Sequence, residues 1–148
     1  NIGIDVSKQV SWGGLLDKLM SDKVEPTLTQ PCFLVDYPLA MSPLAKKSAH
    51  DNRIVERFEG FVSGMEICNA FTELNDPIDQ RYRFEEQEEL HKQFSTEDMD
   101  RLDEDFLIAV EHGMPPTGGL GMGIDRLAMI LTNNQSIREV ILFPQMRT

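Results

Sequence analysis

Gly118-Gly119-Leu120-Gly121-Met122-Gly123-Ile124-Asp125-Arg126 reads as a glycine-rich strand that runs straight into a helix. Glycines at 119, 121 and 123 strip one face of the strand of side chains. Glycine inside a strand marks a place where a ligand or another backbone comes close. The helix follows from Ile124 to Leu131, with Leu127, Ile130 and Leu131 spaced to face a core. Its N-terminus points free N–H groups toward the bare strip and favours anions there. Arg126, in the first turn, can fork two hydrogen bonds to a phosphate. A flat ring could lie on the bare face. A glycine-rich bulge packed under a helix accounts for the spacing equally well. A dinucleotide loop does not, because the order is Gly-x-Gly-x-Gly rather than Gly-x-Gly-x-x-Gly, and no Gly-Lys-Ser/Thr phosphate loop occurs.

Working outward, Ser11 to Met20 reads as an amphipathic helix, capped by Ser7 or Ser11, and Val24 to Pro31 as a connector. Cys32 to Tyr37 is a β-prone run that Pro38 ends, and Ala45 to Asn52 is a polar loop expected to be mobile. Val55 to Ser63 and Glu66 to Glu73 read as strands, and Ser63-Gly64-Met65 joins them in a hairpin. A helix begins at Pro77, N-capped by Asp76, and continues to about Phe94. Another runs from Asp103 to His112 and stops at Gly113. Val140 to Phe143 reads as a last short strand. Strands in adjacent groups with helices beside them indicate an α+β fold with an antiparallel or mixed sheet, not alternating βαβ units.

The chain of 148 residues suits one domain over 1–148, and 41% apolar content suffices for a core. No apolar run approaches the ~20 residues of a membrane span, so no membrane association is expected. The chain opens on Asn1 without Met or a basic leader, which suggests a piece of a longer chain and no secretory signal. Two cysteines, Cys32 and Cys68, are too few for a disulfide framework or a zinc site, and a reducing, cytoplasmic setting is the simplest reading. Three histidines lie scattered without metal-ligand spacing. A net charge of −11 makes the chain a poor nucleic-acid binder by itself, since phosphate contacts need Lys and Arg. It suits a cationic substrate, although a solvated acidic surface explains most of the charge.

The hairpin carries the second set of candidates. Asn69, Phe71 and Glu73 alternate and share one face of their strand. Glu59 lies on the partner strand. Glu66 falls on the opposite parity, and a bulge or the turn itself would be needed to bring it round. Converging glutamates would bind Mg²⁺ beside phosphate oxygens, and a further Glu could pair with an ammonium group. With twenty-five acidic residues in the chain, ordinary surface glutamates on a half-exposed hairpin explain the same pattern.

Gly119 to Leu127, followed by Ile137-Arg138-Glu139-Val140-Ile141-Leu142-Phe143-Pro144, resembles the third signature motif and C-terminal tail of class II aminoacyl-tRNA synthetases of the lysyl, aspartyl and asparaginyl group. Arg57-Phe58-Glu59, the stretch from Gly64 to Asp76, and Met41-Ser42-Pro43-Leu44-Ala45-Lys46 resemble segments typical of the lysyl enzymes. Met65 stands where that resemblance leads one to expect Arg or Lys. The match runs from about Phe33 to Met146.

The resemblance implies the C-terminal part of a class II catalytic domain, an antiparallel sheet flanked by helices. It implies that Arg126 holds the γ-phosphate of a bent ATP and acts in catalysis. The glycine strand, with Gly121 and Gly123, would underlie the adenine. Glu59 and Glu66 would bind Mg²⁺, and Glu66 also ATP. Asn69, Phe71 and Glu73 would line the lysine pocket, with Glu73 receiving the ε-ammonium. The implied reaction activates lysine with ATP and passes it to tRNA(Lys), in a homodimeric parent that supplies the first and second motifs; the piece alone is expected to be inactive. An aspartyl or asparaginyl enzyme, a paralogue that modifies protein, and a non-catalytic nucleotide-binding domain are the alternatives.

Overall fold

The computed structural model describes residues 3–7, 9, 11–94 and 103–145. Four strands form one antiparallel sheet in the order β1-β2-β3-β4: Cys32–Val35, Arg57–Val62, Met65–Thr72 and Gly118–Met122. Among the described residues four α-helices accompany it: α1 Trp12–Leu19, α2 Pro77–Phe94, α3 Glu104–Glu111 and α4 Ile124–Thr132. This is the expected α+β arrangement.

Local signals place the elements. The Ser11 hydroxyl accepts a hydrogen bond from the Gly14 N–H at 3.0 Å and starts α1. Asp76 accepts from the N–H groups of Ile78 and Asp79 to start α2, and Asp103 accepts from that of Phe106 to start α3. Beyond its predicted end, α1 runs on through one π-helical turn, Met20–Val24, and a short 3-10 turn, Glu25–Thr27. Ser63 and Gly64, both at positive φ (54° and 74°), make the two-residue turn between β2 and β3.

The β2–β3 register contains one shift. Gly60 pairs with Cys68, but Phe61 pairs with Glu66, so Ile67 is an extra residue in β3. Of the two ways to bring Glu66 round, a bulge or the turn itself, the register shows the bulge. The sheet then presents two chemically different faces. One carries the rows Cys32–Phe61–Glu66, Leu34–Glu59–Asn69–Gly121 and Arg57–Phe71–Gly119. The other carries Val35–Phe58–Ala70–Leu120 and Phe33–Gly60–Cys68–Met122.

Two segments differ from expectation. Residues 45–52 begin as a fixed connection, not a free loop. Ala45 is buried and bridges to Glu73, and the Lys46 N–H donates to the Thr72 carbonyl at 2.8 Å. The partner that holds it is Arg83 of α2, whose Nη1 donates to the carbonyls of Pro43 and Ala45. Val140 to Phe143 is not a strand. A 3-10 turn, Ile137–Glu139, closed by a Ser136–Glu139 capping box, precedes it, and Leu142 and Phe143 stand in solvent. Its apolar residues have no neighbouring strand among the described residues, and a strand without a ladder has no reason to extend.

Candidate functional site

Every site residue read from the sequence lies on the first face of the sheet or at its margin. Glu59 faces Asn69 across β2 and β3, and Asn69 faces Gly121 on β4. Phe71 lies between Arg57 and Gly119. Glu73 follows β3, its N–H donating to the Thr117 carbonyl at 2.9 Å. Glu66 meets Arg126 at the other end.

The alternate glycines are not equally bare. A Cβ on Gly119 would lie 2.9 Å from Cδ of Glu73 and closer still to Oε1, so the Glu73 carboxylate rests on the Gly119 backbone. At Gly123 the neighbour is the Arg126 side chain, from 3.6 Å. At Gly121 only the Asn69 carbonyl lies near, at 3.8 Å. The open part of the strip is therefore Gly121, between an acidic end at Glu73 and a basic end at Arg126. Four residues of strand separate the two ends, roughly 13 Å.

Burial pushes the Glu73 carboxyl above its ordinary pKa, and no cation among the described residues opposes the shift. Arg126 is differently placed. Its Nη1 donates to the Glu66 carbonyl at 2.7 Å and to the Glu66 carboxylate at 3.2 Å. The Gly123 N–H donates to the Ile67 carbonyl at 3.0 Å, so the start of α4 is pinned to the bulge.

Arg57 was quoted only as part of a motif, yet it is the most heavily bonded side chain of the face. Its Nε donates to Asn69 Oδ1 at 3.1 Å, and its Nη1 to the Met41 carbonyl at 3.0 Å and the Ser42 hydroxyl at 2.7 Å. Its Nη2 pairs with Glu59 Oε1. The guanidinium lies 4.4 Å from the centroid of the Tyr37 ring and 5.7 Å from that of Phe71. The Tyr37 hydroxyl donates to the second Glu59 oxygen at 2.5 Å. Burial, then the bond to Glu59, push the Tyr37 phenol upward, so it stays a donor. Period-two spacing from Glu59 could have flagged Arg57. No local signal flags Tyr37, which reaches Glu59 from beyond β1.

Glu25 is a further residue that sequence reading left in a connector. The segment beside it packs on the hairpin turn, where the Gly64 N–H donates to the Leu28 carbonyl at 2.9 Å. Its carboxyl is pushed up by burial first, then by the charges of Glu59, Asp17 and Glu66, with Arg126 opposing. Negative charge is thus in excess around Glu59 and Glu66. Among the described residues no three acidic, histidine or cysteine side chains enclose a metal position. Mg²⁺ is nevertheless commonly held by one or two carboxylates together with substrate phosphates. Glu59 and Glu66 fit that pattern: each Glu59 oxygen keeps a lone pair beyond its present bond, and the Glu66 carboxylate is half exposed.

Residues 16–147 match the family model for class II tRNA synthetases (D, K and N). The chain is 58% identical over 144 residues to a lysine–tRNA ligase of Dehalococcoides mccartyi, covering 97% of this chain and 29% of that protein. It is 54% identical over 147 residues to the lysine–tRNA ligase of Chloroflexus aurantiacus and 53% identical over 146 residues to that of Oceanobacillus iheyensis. In both cases too it spans 29% of the relative's length.

Proposed function

Because the chain belongs to the class II tRNA synthetases of the D, K and N group, we propose that it forms the C-terminal part of the catalytic domain of a lysine–tRNA ligase. The observation that carries this reading is Glu73: a partly buried carboxylate, seated on Gly119, with burial as the sole cause of its raised pKa. A carboxylate so placed favours a cationic side chain over an acidic or amide one, because only an ammonium compensates its desolvation.

Lysine then lies with its ammonium at Glu73 and its carboxylate directed along the face past Phe71 and Asn69. ATP places its ring over Gly121 and its phosphates toward Arg126 and the N-terminus of α4. The lysine carboxylate attacks the α-phosphorus, the bond to the bridging oxygen breaks, and pyrophosphate leaves with the electron pair. The terminal adenosine of tRNA(Lys) next attacks the activated carbonyl and AMP departs. Arg126 neutralises phosphate charge in the first step, and this chain's other residues bind and orient rather than attack. Mg²⁺, held by Glu59 and Glu66, would supply further neutralisation of the phosphates. The α-phosphate contacts, the dimer interface and the tRNA surface belong to the rest of such an enzyme, as does its cytoplasmic setting. No helix among the described residues is long and apolar enough to cross a membrane.

The test is amino-acid-dependent ATP–pyrophosphate exchange by the full-length protein, with lysine, aspartate and asparagine compared. Lysine alone should support it. Glu73→Gln should raise the lysine KM about a hundredfold while the ATP KM changes little. Only ionised Glu73 binds the ammonium, so the wild-type lysine KM should climb as pH falls through the raised Glu73 pKa, and the Gln variant should lack that limb. Exchange driven by aspartate, or equal damage to both substrates, would overturn the assignment.

A further inference from the structure

We infer that Arg57 is a positioning residue for amino-acid recognition: it locks the side-chain amide of Asn69 with its NH₂ group turned into the site. A guanidinium has donors only. The 3.1 Å bond from Arg57 Nε to Asn69 therefore fixes the acceptor oxygen toward Arg57, and Nδ2 is left for the open side of the row, toward Gly121. An isolated amide would be free to turn over, since its two ends are nearly equal in shape. Arg57 itself has no such freedom. Two backbone or hydroxyl acceptors, the Glu59 carboxylate and the Tyr37 ring hold it on every side, and Glu59 is in turn held by the Tyr37 hydroxyl. Arg57 and Glu59 are both only 13% exposed, so the cage is shielded from competing water.

A lysine at this position could keep the charge near Tyr37 but could not reach Asn69, Ser42 and Glu59 together, because the planar fork is lost. Asn69 stands between Glu73 and Arg126, where a bound amino acid presents its oxygens, and those need a donor. This inference rests on the reading of Asn69 as an amino-acid contact and adds what makes it a donor.

A double-mutant cycle in the full-length protein tests it: wild type, Arg57→Lys, Asn69→Ala and the double variant. The readout is the amino-acid KM in pyrophosphate exchange, with the ATP KM as the comparison. Arg57→Lys should raise the amino-acid KM about tenfold or more in the wild-type background, and less than about twofold once Asn69 is Ala. Any change in the ATP KM, passed on through the lost Glu59 contact, should be the same with Asn69 present or replaced by Ala. Equal effects of Arg57→Lys with and without Asn69 would overturn the inference, because a merely structural arginine is additive with Asn69. If Arg57→Lys does not fold, Arg57→Gln closes the same cycle. Wild-type exchange with aspartate or asparagine in place of lysine would overturn the lysine reading, and the cycle run with that amino acid would still return coupling or additivity.

Discussion

Gly119 and Gly121 lie two residues apart on the same face of β4, yet they guard different things. At Gly119 the space a methyl needs is filled by the Glu73 carboxylate, whereas at Gly121 it is open above the strand. Neither glycine has a positive φ, so alanine is compatible with the backbone at both. Gly119→Ala must displace Glu73, and it should raise the lysine KM about tenfold or more with the ATP KM little changed. Gly121→Ala meets only the Asn69 carbonyl at an ordinary 3.8 Å, so it should fold normally and raise the ATP KM instead, by intruding on the place proposed for the ring. Steady-state exchange kinetics on the two variants checks the reversal. If both damage the same substrate, the division of the strip into an amino-acid end and a nucleotide end is wrong.

At the scale of elements, α2 matters less for its length than for one buried residue. Arg83 is 4% exposed, pairs with Asp79 one turn earlier, and donates to the carbonyls of Pro43 and Ala45. The segment it holds bridges Ala45 to Glu73 and hydrogen-bonds Leu44 to Leu74, so α2 supports the stretch that aims Glu73. Arg83→Ala leaves the Ala45 carbonyl and part of Asp79 unpaired, while the Pro43 carbonyl keeps its bond from Gln80 Nε2, and it should destabilise the protein by about 2–4 kcal/mol. Arg83 and then Lys47 hold the Asp79 carboxyl below its ordinary range. A depressed pKa contributes stability above the unfolded value and loses it as pH falls through the folded one. The gap in thermal midpoint between variant and wild type should therefore be widest near neutrality and narrow below about pH 4; a constant gap would show that Asp79 is not the partner that matters. Apart from the Asp79–Arg83 pair, one turn apart in α2, none of this is local in sequence. The caps at Ser11 and Asp76, the start of α3 at Asp103 and the turn at Ser63-Gly64 were legible because each acts within three or four residues. The ties of Arg83 to Ala45 and of Arg57 to Met41 and Ser42 span fifteen residues or more, and no periodicity encodes them. The parity of Glu66 shows the boundary between the two cases: alternation revealed that a bulge or the turn had to bring it round, but only the register showed a bulge and located it at Ile67.

For the whole molecule the two faces of the sheet set opposite demands. The first face is polar, half-buried and internally bonded. The second holds two rows of apolar side chains across all four strands, and Phe33 at 69% and Leu120 at 64% exposure lie at its two edges. The end of the described chain adds Leu142 and Phe143, at 88% and 90% exposure. The centres of the rows, Gly60, Cys68 and Ala70, are buried, but their exposed ends, with Val35 at 56% and Met122 at 44%, are interaction surface rather than ordinary protein exterior. The relatives are more than three times longer, and further chain of that length can cover such rows. The acidic net charge of −11 opposes association between copies, but charge repulsion weakens with salt while apolar contact does not. The 148-residue chain produced alone should therefore self-associate, and more strongly at about 1 M salt, where the Debye length falls to roughly 3 Å, than at low ionic strength. Phe33→Ser combined with Leu120→Ser should suppress that association without lowering the thermal midpoint by more than about 1 kcal/mol in equivalent stability, since both side chains are already exposed. Sedimentation velocity at two salt concentrations decides it. A monomer at every concentration and salt would mean that the rows are masked within the chain itself, and association that survives the double substitution would place the sticky surface at the Leu142–Phe143 end instead.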